Sequence, residues 1–401
     1  MAQSSVEMDE IVILSEHDIG IQGATLSPDG KTILAHGEES GIFLIDSRVP
    51  RNNSQVDWLG SSSLLDASFH PGGETALLVG ESGVVLRLII SNHSIEEAGG
   101  SSDFGDTELK AVSWNGDGSW AYVAGEGGWI WKFRGLDGGG VEAIPLENRG
   151  TSDINAISCL RGYNVCIVAS SVDGIGIIDQ EHELSWIGGY GMPWIDVACS
   201  SISSTECVVI SSDLTIARIR VNIEDVSKTV VYDNDIVQLQ GFEGTMTGID
   251  VQSDGVSLIS LVPFGIIEHD LEVFGVDGLE MHSTSRSFHF LDNIDAIEFD
   301  TGISAQRIVA TWGSGPFEGW LITDFGTIVS FTPASQSDSA TMLEIWIGVI
   351  ILGGMTLMIV SLLTSSSPRL SRWMAIKIGS EEERKSAMRE ERRRLRKKGR
   401  A

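Results

Sequence analysis

The chain has 401 residues, a formal charge of −29 and four cysteines. Residues 1–344 carry 14 Lys and Arg against 51 Asp and Glu, a balance of −37, while residues 364–401 carry 13 against 5, a balance of +8. A body this acidic repels phosphate backbones and anionic lipid, which excludes nucleic acid as a partner and leaves only the short tail suited to anionic headgroups.

The opening residues, MAQSSVEMDEIVILSEHD, show no basic n-region and no apolar h-region beyond 11–14, so they do not read as a signal peptide. The segment 10–15 reads instead as a strand ahead of a repeat. Units then begin at Ala24, Ala67, Ala111, Ala156, Val197, Gly248 and Ala296, in steps of 43, 44, 45, 41, 51 and 48 residues. A period in the forties points to a β-propeller more readily than to a helical array.

Each unit has the same internal physics. A short alternating run meets a turn such as Ser27-Pro28-Asp29-Gly30 or Asn115-Gly116-Asp117-Gly118, where proline presets one φ and glycine accepts a positive one. An apolar run follows, ALLVG or AYVAG, then a corner such as Glu81-Ser82-Gly83 or Glu126-Gly127-Gly128, then a third apolar run, VVLRL or WIWKF. Runs without strict alternation suit strands buried on both faces between neighbouring blades. Irregular stretches between units, such as 55–60 and 230–233, are expected to be the outer fourth strands.

The SPDG turn, the GESG corners and strand endings such as IFLID and GIIDQ resemble the WD40 and YVTN-type β-propeller repeats over about residues 11–331. VGESGVVLR and AGEGGWIWK also look like repeats of photosystem assembly-factor and sialidase-like propellers. No Trp-Asp pair ends a third strand and no Gly-His opens a unit. The fold expected is an all-β, seven-bladed β-propeller spanning 1–331, with six or eight blades as the other counts. Segment 10–15 is expected to close the ring by pairing with the last blade, the competing choice being that 326–331 supplies that outer strand. The resemblance implies binding at the loop faces and central channel, where loops of every blade converge.

After the ring, 332–344 reads as a Ser-rich stalk. Residues 345–363, IWIGVIILGGMTLMIVSLL, contain no charge and no proline. At 1.5 Å per residue they make a helix of roughly 28 Å, the thickness of a bilayer core. Trp346 sits at one end of the run and Arg369, Arg372, Trp373 and Lys377 follow the other, while no Lys or Arg lies between Arg307 and Ile345. This asymmetry predicts a single transmembrane span, a cytoplasmic tail over 364–401 and an extracytoplasmic body. The tail is expected to hold an interfacial helix carrying Leu370, Trp373, Met374 and Ile378, then a charged helix touching anionic lipid.

Candidate site residues are few. Cys159 with Cys166, and Cys199 with Cys207, have the spacing of two hairpin disulfides, the alternative being four buried thiols. Asn52 and Asn92 head glycosylation sequons, which matter only outside the cytosol. Trp129 and Trp131 alternate on one strand and could form an aromatic binding patch, or pack between blades. Asp233-Asn234-Asp235 and Asp292-Asn293-Asp295 offer oxygens but lack EF-hand spacing, and no histidine stands at ligand spacing, so no metal or other cofactor is expected. No GxSxG, HExxH, Rossmann or P-loop pattern occurs, so no catalytic residue is assigned.

The sequence thus reads as a membrane-anchored, non-catalytic scaffold that binds a protein or ligand on the extracytoplasmic loop face of a propeller. The alternatives are a tethered propeller enzyme acting on a glycan or small metabolite, and a cytosol-facing adaptor on a membrane complex.

Overall fold

A computed structural model describes residues 6–38, 41–136, 140–199, 205–239, 242–252, 256–270, 286–288, 301–315, 318–333, 347, 351–352 and 367–399. The chain divides into two units, 1–334 and 335–401.

The first unit is a seven-bladed β-propeller: seven antiparallel four-stranded sheets whose inner strands touch one another in a closed cycle. The inner strands are Ile21–Leu26, Leu64–Phe69, Leu109–Trp114, Ile154–Cys159, Trp194–Cys199, Thr245–Val251 and Ile308–Gly315, in blades 1 to 7. In blades 1 to 6 all four strands come from consecutive sequence. In blade 7 the outer strand is Val6–Ile13, paired antiparallel with Thr327–Pro333. The first strand of the chain thus locks the last sheet and covers an edge that would otherwise stay open.

Hydrophobic burial explains why the blades stack. Seven clusters of buried side chains are present among the described residues, one at each blade interface. Leu34, Ile42 and Leu44 of blade 1 pack on Leu64, Phe69 and Leu78 of blade 2; Val6 and Met8 join Leu258 and Ile266 across the blade 6–7 interface. A sheet with both faces covered needs no polar alternation, and the second strands Thr32–Gly37 and Thr75–Gly80 bury every residue after the first. Each of these two ends on a glycine where the backbone passes close to the preceding connection: a Cβ on Gly80 would run into the Ser63 carbonyl oxygen, and one on Gly37 into that of Gly20.

Because the strands alternate in direction, the connections sort onto two faces. The first-to-second and third-to-outer turns share one, here the turn face. The second-to-third corners, and the passages from each outer strand to the next inner strand, share the other, the corner face.

The structure corrects three sequence expectations. The last blade is out by one strand: its inner strand is Ile308–Gly315, so Ala310 occupies the place assigned to Ala296, which lies outside the described residues. Segment 326–331 accordingly belongs to the third strand, Thr327–Pro333, and the stalk assigned from 332 loses its first two residues to the ring. The outer strands of blades 1 and 5 are Asn53–Gln55 and Ile236–Gln238; most of 55–60, and all of 230–233, lie outside them. The physical reason is that an outer strand has one neighbour and one wet edge, so its sequence need not be apolar.

In the second unit, Pro368–Lys377 and Glu381–Lys398 are helices. Ser380 and Glu383 form a capping box, with the serine hydroxyl accepting from the Glu383 amide, and the last turn carries Arg396, Lys397 and Lys398 where the helix dipole favours cations. The apolar run 345–363 lies outside the described residues except for Ile347, Ile351 and Leu352, which are helical. Among the described residues no helix is long and apolar enough to cross a membrane.

Candidate functional site: the channel and the corner face

All seven inner strands carry a β-bulge near their start, after the first paired residue in six blades and after the second, Met246, in blade 6. A bulge re-aims the side chain that follows it. In blades 2 and 5 that residue is an aspartate. Asp66 Oδ1 accepts from the Ala67 amide (2.8 Å) and Oδ2 from the Val112 amide of blade 3 (2.7 Å). Asp196 repeats the arrangement with the Val197 amide (2.7 Å) and the Ile249 amide of blade 6 (2.8 Å). Asp250, two residues past the bulge in blade 6, accepts at Oδ2 from the Thr311 amide (2.8 Å) and hydroxyl (3.2 Å) of blade 7. Each carboxylate thus caps an inner-strand amide of the next blade, on the edge that faces the ring axis.

These three groups sit deep in the ring. Burial is the largest influence on each and pushes Asp66 and Asp250 up to about 7 and Asp196 to about 6, against the hydrogen bonds that favour the charged form. The charge of Asp196 raises both others further. Each still keeps some accessible surface, so water within the channel tempers the penalty.

Where the inner strands run out into their turns, the channel widens to a cavity of about 320 Å³. Its walls include Leu26, Ser158, Asp250, Val251, Gln252 and Trp312, and among the described residues no Lys, Arg or His lines it. The sequence reading did not pick out these aspartates. Their signal was present in Leu65-Asp66-Ala67, Ile195-Asp196-Val197 and Ile249-Asp250-Val251, where a charge interrupts a strand otherwise apolar on both sides.

The residues singled out from the sequence fall elsewhere. Trp129 and Trp131 are stacked, with centroids 5.2 Å apart and planes 11° from parallel. Trp131 is buried at the blade 2–3 interface, edge-on to Phe104. Trp129 is half-buried, and the Arg149 guanidinium lies 3.2 Å from its ring centroid, so a cation already occupies one face of the pair. Of the other aromatic residues of blade 3, Tyr122 and Phe133 are fully buried. Tyr122 Oη meets His182 Nδ1 at 2.6 Å across the interface with blade 4.

The structure pairs Cys159 with Cys166 and Cys199 with Cys207. Each bond joins directly opposed residues of an inner and a second strand, at equivalent places in blades 4 and 5. Asn52 and Asn92 are exposed on third-to-outer turns, hence both on the turn face. Asn92 Oδ1 accepts from the Ser94 amide and hydroxyl. Asp233-Asn234-Asp235 forms a single 3-10 turn in which Asp235 accepts from the Tyr232 amide. Asp292-Asn293-Asp295 lies outside the described residues, among which no group of three His, Cys, Asp or Glu is placed to hold a metal ion.

The corner face differs from the turn face in its apolar exposure. Ile13, Leu59, Val172, Tyr190, Val262 and Phe325 stand exposed at its connections, six against the four on third-to-outer connections: Val49, Leu136, Val230 and Tyr232.

No family model matches the chain, and no curated protein is significantly similar to it.

Proposed function

We propose that the protein is a membrane-anchored, non-catalytic scaffold whose propeller binds a protein partner through its corner face on the extracytoplasmic side. The corner face carries the binding role: its exposed apolar side chains are what a docking surface offers and what solvent does not reward. The ring beneath it is rigid, with seven packed interfaces and a closed last blade. The third strand of blade 7 ends at Pro333 on the turn face. Both sequons also lie on the turn face, away from the corner face.

The anchor rests on the uncharged run 345–363, and the sidedness on the basic residues that follow it. The enclosure of all four cysteines in two bonds supports an oxidising compartment. The tail 364–401 then faces the cytoplasm, with 13 basic residues available to anionic lipid.

The test places a photo-crosslinking residue at Tyr190 or at Val49 in the full chain and irradiates intact cells. The reading expects one defined adduct from position 190 and none from 49, with the adduct retained in the membrane fraction after alkaline extraction. Equal labelling from the two positions would overturn the assignment of the face, and release of the chain by alkali would overturn the anchor.

A further inference from the structure

Of the described side chains lining the channel cavity, one is buried without a partner. Gln252 is 3% exposed, and both its amide atoms, Nε2 and Oε1, are shielded from solvent with no hydrogen bond. It stands where the inner strand of blade 6 enters its turn. The corresponding residues of blades 1 and 3 anchor that turn: Ser27 Oγ accepts from the Thr32 amide, and Asn115 Oδ1 from the Trp120 amide. Gln252 does neither. Its Oε1 lies instead over Gly313 of blade 7, where a Cβ would come within 2.9 Å of it. An amide held dry and unmet in a cavity wall is costly, and it is expected where something else completes it.

The surroundings say what that something carries. Asp250 lines the same cavity, and Thr311 occupies only its Oδ2; Oδ1 has no partner among the described residues. Asp66 and Asp196 add negative potential along the channel, and among the described residues no basic side chain lines the cavity to balance it. An anion is therefore repelled. A metal ion is disfavoured by the absence of a three-ligand set among the described residues. The rest of the wall sets apolar Leu26, Val251 and Trp312 beside the hydroxyls of Thr25 and Ser158, and a space of about 320 Å³ lies at the small end of ligand pockets.

We propose that this cavity binds a small organic ammonium ion, its N–H groups donating to Asp250 Oδ1 and Gln252 Oε1 and its apolar body resting against Leu26, Val251 and Trp312. Gln252 Nε2 is then left to donate to a hydroxyl or carbonyl oxygen of the same molecule. The site does not depend on which partner meets the corner face or on which side of the membrane the ring stands.

Calorimetric titration of the full chain in detergent at pH 8 and fixed ionic strength tests this, with n-butylammonium and putrescine as probes and n-butanol and calcium chloride as comparators. One saturable site for the ammonium probes is expected, and none for butanol or calcium. Asp250→Asn and Gln252→Leu should each weaken that binding at least tenfold. Gln252→Leu removes an unmet polar group, so its thermal midpoint should equal or exceed that of the unaltered chain. Gln252→Glu, nearly isosteric and charged, should tighten binding severalfold, which a purely structural glutamine would not do. Absence of saturable ammonium binding, calcium binding in its place, or ammonium binding indifferent to Gln252→Leu or Gln252→Glu would overturn the proposal.

Discussion

Replacing Asp66 with asparagine should change how the ring's stability depends on pH. The folded carboxyl titrates near 7, mainly because it is buried, with the charge of Asp196 adding to the effect; in the unfolded chain it titrates near 3.9. Between about pH 4 and 7 the folded ring holds a proton that the unfolded chain has lost. Unfolding releases that proton, so stability falls as pH rises through this window and levels off above it. A rise of about three units is worth at most about 4 kcal/mol, and channel water reduces this to about 2 kcal/mol. Asparagine removes the dependence at a fixed cost. Both partners of Asp66 are amide donors, Ala67 and Val112, and an amide side chain can accept from only one while its NH₂ confronts the other. That mismatch costs about 1–2 kcal/mol. Asp66→Asn should therefore be less stable than the unaltered protein at pH 5 and equal to it, or slightly more stable, at pH 8.5. Urea unfolding of both proteins across this range measures the difference, in which the general repulsion of the acidic body cancels. A difference that stays constant with pH, or one that turns further against the variant as pH rises, would refute the reasoning.

Other perturbations follow from the same geometry. His36 is buried, its Nδ1–H donating to the Leu64 carbonyl at 3.0 Å, and burial pushes it down to about 4. Its contribution is intact above about pH 6.5 and is lost as pH falls towards 4, so His36→Gln should flatten the acid limb of a stability profile over that interval. Met8→Ala should cost about 2–4 kcal/mol, because Met8 is buried in the seam that closes the ring. Deleting residues 1–13 should go further and expose the edge of Thr327–Pro333, giving aggregates on size exclusion. Cys199→Ser combined with Cys207→Ser opens a link between residues eight apart, worth about 2.5 kcal/mol on chain-entropy grounds, and should lower the urea midpoint without changing the circular dichroism of the folded ring.

The repeat was legible because its punctuation is local. Turns such as Ser27-Pro28-Asp29-Gly30 and corners such as Glu81-Ser82-Gly83 place glycine where φ is positive, at Gly30 and Gly83, and no tertiary context is needed to read them. Closure by the N-terminal strand was legible for a related reason: an apolar run precedes the first unit with nothing nearby in sequence to pair with. The slip in blade 7 came from the same apolar runs that revealed the fold. The first three strands of a blade are all rich in apolar residues, so AIEF, RIVAT and WLIT look alike, and moving the frame by one strand leaves the pattern unchanged. Outer strands such as Asn53–Gln55 are short and half-solvated, with exposed first and last residues, and leave almost no signal. The channel aspartates were hidden because their role is made by the next blade: nothing local to Asp196 indicates that its oxygen will meet the amide of Ile249.

The most direct test of the account is protease accessibility of the ring in intact cells, with an epitope tag placed after Ala401 as the internal reference. An extracytoplasmic scaffold on a single span predicts that added protease degrades the ring while the tag survives until the membrane is broken. A ring that stays protected in intact cells and is cleaved only after lysis would contradict it.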